Sequence, residues 1–444
     1  MKKKNVFQIW KKFLEMLFGR KRISMQKQDN LKKNYIWNTI GTTFLSFNSL
    51  FFMIIVTRIN GIQDGGIFSF SYASACIVNA IALFCGRTYQ VTDDNKEISE
   101  SSYVSTRIIT SLIAAAIAFL FVLINQYALK KATVFLVLCL IKCAEALSDV
   151  FYGILQKREL LYQAGKSMTY KSIAGLLGFG IIDLISHNLI LSCIYLLVLN
   201  IAFLFFYEGD LAGKCTKIKY RIKIEECFLL IKKSCYTFLF TLIIMIIINI
   251  PRYIIDWKLD SESQAIYGIL SMPATFIMLF GQFILQPSLT KLAECYGLKE
   301  KKEFHKIVAL LMMTIFASLI VILPVAYLLG VPILGIIYNI ELSAYRWLLL
   351  GVIIGAAFYA SSNVLLNALI TLRCTKVQLI LQVGMLALSI GVSILFIGSM
   401  GLTGSILSYM TILILQFISY LALYVIVSAR IFKGEIYEKT STNK

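Results

Sequence analysis

The sequence predicts an all-α membrane protein of twelve spanning helices, with both ends on the cytoplasmic side. Three observations lead there. Of 444 residues, 58% are hydrophobic and 15% are charged, where soluble domains carry about a quarter. The mean hydropathy is +0.77. Apolar runs of bilayer length, about 20 residues, recur along the whole chain. This composition excludes a soluble enzyme and a disordered chain. With two histidines and five prolines, His-based metal chemistry and Pro-rich linkers have little to build on.

The first span, 35–57, follows Lys32-Lys33 and carries a polar stripe of Asn38, Thr42, Ser46 and Ser49. The second, 66–86, adds Ser71, Tyr72, Ser74 and Asn79 and ends beside Arg87. The third, 105–126, contains Arg107; the fourth, 132–154, contains Lys142, Glu145 and Asp149. The fifth and sixth, 168–186 and 189–207, are separated only by the turn Ser186 to Asn188. The seventh, 235–255, ends in N-I-P-R-Y-I-I-D; the eighth, 264–287, carries Gln282 and Gln286. After the ninth, 306–328, the apolar piece 330–338 reads as a loop or a re-entrant segment. The tenth, 344–370, holds Ser361, Ser362, Asn363 and Asn367, and 377–397 and 402–428 complete the set.

Lys and Arg set the orientation. With the N-terminus inside, the inner segments hold 35 of these 43 residues and the outer loops six: Arg58, Lys130, Lys131, Arg252, Lys258 and Arg346. Arg107 and Lys142 fall within spans. The net charge of +19 then reads as a topology signal and an attraction to anionic lipid, not as nucleic-acid binding. None of the ten cysteines falls in an outer loop, so no extracellular disulfide framework is indicated. The organisation is a basic amphipathic segment (1–34), an N-lobe (35–207), a basic linker (208–234), a C-lobe (235–428) and a tail (429–444). In the first segment Val6, Trp10, Phe13 and Leu17 fit a helix in the inner headgroup layer. Lys11 and Lys12 interrupt any signal-peptide core. In the linker, Arg221 to Lys233 reads as a second interfacial helix. Six spans per half would bring both halves in from the same side, so that, as repeats, they would be parallel ones. All five prolines lie in the second half, so the halves should differ in stiffness.

Lys142, Glu145 and Asp149, spaced three and four apart, share a helix face. Each would cost about 2.5–3.5 kcal/mol at the bilayer centre, so all three must face protein or water. Lys142 and Glu145 can pair, and Asp149 lies at the depth of Arg107. An internal ion-pair clasp and a charged cavity wall both remain open. Arg252 and Asp256 can pair one turn apart, and Asn249 can help satisfy carbonyls freed by Pro251. Arg58, Arg87 and Arg252 either anchor the interface by snorkelling or bind phosphate bidentately. The polar stripes serve either as glue between helices or as walls of a water-filled cleft. The candidate cavity residues are Arg58, Asn79, Arg87, Lys142, Arg252, Gln282 and Asn363. The candidate ion-coupling groups are Glu145, Asp149 and Asp256. No catalytic residue, metal site or cofactor is indicated.

Four motifs stand in order along the chain: N-x-x-G-T (Asn38 to Thr42), R-T-Y-Q-V-T-D (Arg87 to Asp93), N-I-P-R-Y-I-I-D (Asn249 to Asp256) and G-x-x-x-L-G-I-I-Y (Gly330 to Tyr338). With the twelve-span layout they make the chain resemble the Wzx-type O-antigen and polysaccharide flippases. These form a branch of the multidrug/oligosaccharidyl-lipid/polysaccharide (MOP) exporters. The resemblance implies a MATE-like fold of two six-helix bundles around a central cavity, working by alternating access. It implies an undecaprenyl-diphosphate-linked oligosaccharide as substrate, moved from the inner to the outer leaflet of the bacterial plasma membrane for O-antigen, lipopolysaccharide or capsule assembly. Glycan polymerases and other assembly proteins would be partners. Arg87 and Arg252 carry over by motif, Lys142 by placement.

The physics is compatible. Each negative charge moving outward gains about 2.3 kcal/mol per 100 mV. No Walker A pattern is present, so ATP hydrolysis by this chain is not expected. A multidrug or cation exporter of the same fold would favour an acidic cavity. A membrane polymerase or glycosyltransferase would need larger outer loops than these.

Overall fold

The computed structural model describes residues 25–84, 86–92, 98–216, 223–372 and 374–432. The amphipathic segment expected from Val6 to Leu17 and Asp93, the last residue of the R-T-Y-Q-V-T-D motif, lie outside the described residues. The helices are α1 (Met25–Asn60), α2 (Ile62–Leu83), α3 (Gly86–Thr92), α4 (Glu100–Asn125), α5 (Leu129–Lys157), α6 (Leu161–Ser186) and α7 (Leu189–Phe203). They continue as α8 (Asp210–Cys215), α9 (Ile224–Lys258), α10 (Ser261–Gly297), α11 (Lys301–Val325), α12 (Val331–Tyr338), α13 (Arg346–Thr371) and α14 (Thr375–Phe432). Among the described residues, ten stretches are long and apolar enough to cross a membrane. α5 falls short of that measure because Lys142, Glu145 and Asp149 sit in its middle. Lys376–Arg430 is two spans, because Gly401 at φ 57 breaks α14 between them. All twelve expected spans are therefore helical, and the chain is a multi-pass membrane protein.

Three expectations need correction. The piece 330–338 is neither loop nor re-entrant. Pro324 cannot donate to the carbonyl one turn back. The helix then widens into a π-helical turn at Ala326–Gly330 and runs on as α12. The interfacial helix expected at 221–233 is, from Ile224 onward, the start of α9. And α7 continues through a second π-helical turn, Leu204–Gly209, into α8. Glu208 is thus a helix residue, not the opening of a linker.

Helices α1, α2 and α4–α7 pack into one lobe and α9–α14 into the other, with α2 meeting α9 and α10 across the seam. The seam is tight at the end that the charge asymmetry assigns to the outside. A Cβ on Gly66 would sit 1.8 Å from the Ser261 carbonyl oxygen, and one on Gly268 would sit 2.3 Å from Ser69 Oγ. Small residues let helix backbones approach this closely. At the same end Arg58 Nε donates to the Ile337 carbonyl at 2.7 Å and Nη2 donates to that of Ile336. Asp260 caps α10, accepting the Ser263 N–H at 2.7 Å, which holds its carboxyl below the usual carboxylate range. At the opposite end α9 docks on the N-lobe. Ser99 donates its N–H and Oγ to Glu226 at 2.9 and 2.8 Å, and Phe84 stacks on Phe238 with centroids 4.0 Å apart.

The close approach at Gly66 yields a prediction. Gly66→Val should force α2 away from α10 at the outer end. With Cys76 as the sole cysteine, the variant is expected to speed modification of that thiol by an impermeant maleimide added outside. An unchanged rate would show that this contact does not hold the seam shut.

Candidate functional site

The candidate site is built along one face of α2. Ser69, Tyr72 and Cys76, spaced three and four apart, share that face. At its outer part Arg252 of α9 donates from Nη1 to Ser69 Oγ at 2.7 Å. Its guanidinium carbon lies 5.1 Å from the centroid of the Tyr267 ring on α10. Both lobes thus meet on this one side chain. Among the described residues no carboxylate pairs with it.

The expected Arg252–Asp256 pair is not formed. Side chains on a helix lean toward its N-terminus, which carries the long Arg252 away from position 256 and toward α2. Asp256 turns instead to the N-lobe, accepting from Lys131 Nζ and from Tyr127 OH, the latter at 2.9 Å. Nor does Asn249 serve the carbonyls freed by Pro251: its Nδ2 bonds to Met245 O at 2.9 Å, a carbonyl that already lies within reach of its own helix ladder.

Deeper along α2 is the α5 triad. Lys142 Nζ lies 2.7 Å from Glu145 Oε2, 3.4 Å from Tyr72 OH and 4.9 Å from that ring's centroid. With Asn48, Ser172 and Asn200 the pair borders a void of about 40 Å³, room for a water. Asp149 belongs to a separate cluster. It accepts from Arg87 Nη1 at 2.9 Å and Arg107 Nη2 at 3.3 Å. Arg87 also reaches Gln156 Oε1 at 3.0 Å. Arg107 Nη1 caps the orphan carbonyls at the end of α2, Leu83 O and Ala82 O. Asp149 thus bridges two guanidiniums, from α3 and α4, at the inner end.

The remaining candidates are dispersed. Asn79 is half-buried with its Oδ1 unpartnered. Asn363 is half-buried on α13, its carbonyl accepting from Asn367 Nδ2 at 2.8 Å. Gln282 is exposed on α10, about 22 Å of helix beyond Tyr267. Arg58 sits on the outer seam. The three carboxylates singled out for ion coupling, Glu145, Asp149 and Asp256, each hold a cation.

Sequence reasoning missed a second buried pair. Lys171 Nζ is 3.1 Å from Glu208 Oε1. That oxygen also accepts from Tyr152 OH at 2.5 Å and Ser167 Oγ at 2.6 Å, while Oε2 has no partner. Glu208 lies in the π-helical turn Leu204–Gly209, a distortion frequent at functional sites. The signal is present in the sequence: Lys171 falls inside the fifth span, 168–186. Asp183 was also overlooked. It is fully buried and accepts from Asn60 Nδ2 at 2.7 Å and Ser192 Oγ at 2.8 Å.

Glu208→Gln should therefore strand a buried ammonium, at a cost of about 3–5 kcal/mol. The double change Lys171→Met with Glu208→Leu should recover most of it. Thermal unfolding in detergent measures both.

No family model matches the sequence. The chain is 26% identical over 404 residues to the capsular polysaccharide biosynthesis protein CapF of Staphylococcus aureus, covering 88% of this chain and 98% of CapF. Among solved structures it is similar to a multidrug resistance MATE family transporter of the MOP superfamily in an inward-facing conformation. The TM-score is 0.70 at 12% identity, over 89% of this chain and 99% of that one. It is also similar to the lipid II flippase MurJ in an inward closed conformation, with TM-score 0.64 and 15% identity over 89% and 90% of the two chains. The chain has the two-lobed fold of the MOP superfamily transporters.

Proposed function

We propose that this protein is a flippase for lipid-linked oligosaccharide. It carries a repeat unit on undecaprenyl diphosphate from the inner to the outer leaflet of a bacterial plasma membrane by alternating access. The product feeds polysaccharide assembly of the capsule or O-antigen type. One observation carries the reading: Arg252 presents a guanidinium at the lobe seam with no carboxylate partner among the described residues, fixed by Ser69 and Tyr267. Such a group is costly in a membrane unless an anion visits it, and a diphosphate matches its fork of donors. Arg87, half-buried near the inner end beside Asp149 and Gln156, offers a second guanidinium on the anion's inner approach. Lys142, held by Glu145, is a cation that can exchange partners as the headgroup passes. The likeness to CapF and to the MurJ fold supports the substrate class. In this reading both termini are cytoplasmic, inner-leaflet anionic lipid holds the basic loops, and polymerases act on the product. The protein performs no bond chemistry.

The MATE neighbours make a drug or cation exporter the rival. That function calls for an acidic group free in the seam. Glu145, Asp149 and Asp256 are each neutralised by a cation. Asp183 has no cation partner among the described residues but is engaged by Asn60 and Ser192 at the outer end of the N-lobe.

The test is leaflet exchange of a labelled undecaprenyl-diphosphate oligosaccharide in proteoliposomes. Arg252→Gln should slow it by about ten- to a hundredfold, the worth of one charge-assisted hydrogen bond. Lys142→Ala should slow it too, whereas a purely structural Lys142 would leave the rate intact. No exchange with several glycans, together with efflux of a cationic dye, would establish the exporter instead.

A further inference from the structure

An apolar trough of about 750 Å³ lies where α1 meets the C-lobe. Its walls come from α1, α10, the α11–α12 path and α13, with Ile54, Phe276, Leu329, Ile333 and Ile353 among them. Leu329 and Ile333 are 52% and 47% exposed, so the trough opens sideways toward lipid. From Val321 to Tyr338 the α11–α12 wall extends about 25 Å. An acyl chain of either leaflet covers roughly half of the ~30 Å hydrocarbon core, and would leave much of that length unfilled.

One end of the trough is polar. The single polar side chain of the lining is Tyr338, itself 1% exposed, and its hydroxyl has no hydrogen-bond partner among the described residues. A buried hydroxyl left unpaired is unfavourable. Beside it Arg58 spends Nε and Nη2 on the Ile337 and Ile336 carbonyls. Its side chain is exposed, and its charge is not met by a carboxylate among the described residues. A long apolar channel that ends in a cation and an unsatisfied donor is complementary to an amphiphile with a long chain and an anionic head.

We propose that this trough binds the polyisoprenoid chain of the lipid carrier, with its phosphate at Arg58 and Tyr338 on the outer side. The proposal deepens the flippase reading and rests on it. It assigns the chain a path distinct from that of the headgroup: Arg252 and Tyr267 meet α2, while Phe276 and Pro273 of the same α10 line the trough. The α1–α10 ring contact Phe47–Phe276, at 5.2 Å, borders the two.

The test uses the full chain in proteoliposomes with undecaprenyl phosphate bearing a diazirine along its chain. Parallel vesicles carry phosphatidylglycerol with a diazirine in an acyl chain. Adducts are mapped by mass spectrometry, and leaflet exchange is followed in the same preparations. Undecaprenyl adducts are expected at Phe276 and Ile333. Leu329→Trp, which fills the trough, should lower them by about tenfold, the worth of two displaced methylenes. Leu395→Trp, on the exposed face of α14, should not. If Leu329→Trp fails to fold, Ile333→Trp read at Phe276 replaces it. Arg58→Gln should weaken labelling by undecaprenyl phosphate but not by undecaprenol. Adducts no denser in the trough than around Leu395, or phospholipid labelling it as heavily, would overturn the proposal. Exchange without trough labelling would overturn it and leave the flippase reading standing. Trough labelling without exchange would support the trough and count against that reading.

Discussion

A charge within a bilayer must find a partner, and that requirement organises the N-lobe. Lys142 meets Glu145, Lys171 meets Glu208, Lys131 meets Asp256, and Asp149 holds both Arg87 and Arg107. Apart from the first, these contacts join different elements. Lys171 ties α6 to the turn after α7; Asp149 ties α5 to α3 and α4; Lys131 ties α5 to α9. Breaking one would leave an uncompensated charge in a low dielectric, a far larger loss than a missing apolar contact. Polarity here is a fastening. Arg252 stands out because it obeys a different logic, with an aromatic ring and a hydroxyl in place of a carboxylate.

The C-lobe is held otherwise. Among the described residues its ion pairs, Lys291–Glu303 and Lys306–Glu303, lie at helix ends. Its interior is apolar and aromatic, as in the Phe316, Phe358 and Phe417 cluster. The prolines fall here too. Pro251 lies inside α9 and Pro324 just before a π-helical turn. A fold made of one charge-locked lobe and one apolar, proline-bent lobe concentrates its compliance in the second.

Much of this was legible in the sequence. The spans announced themselves by length and hydropathy, since each lipid-facing residue must be apolar whatever it packs against. The Lys142–Glu145 pair and the proximity of Asp149 to Arg107 followed from helical spacing and depth. What spacing could not supply was the choice among partners of similar distance. Asp256 had Arg252 one turn away in its own helix and took Lys131 of another. Glu208 hid because a π-helical turn, which hydropathy does not register, carries it inside the lobe. Likewise 330–338 looked detached because Gly330 and Pro332 usually end helices; a widened turn absorbed them instead.

The helix α9 has one more consequence. It opens the C-lobe, yet it is fastened to the N-lobe near both of its ends, through Glu226 and Phe238 at one and through Arg252 and Asp256 at the other. If the lobes rock, this helix works as a loaded beam clamped to the wall that the rest of its lobe swings from. Bending stress gathers where the beam is thinnest, at the ladder bond that Pro251 removes. That point lies a single residue from Arg252. Flexing the beam there would swing the guanidinium itself, so that the hinge and the hand are the same turn of helix.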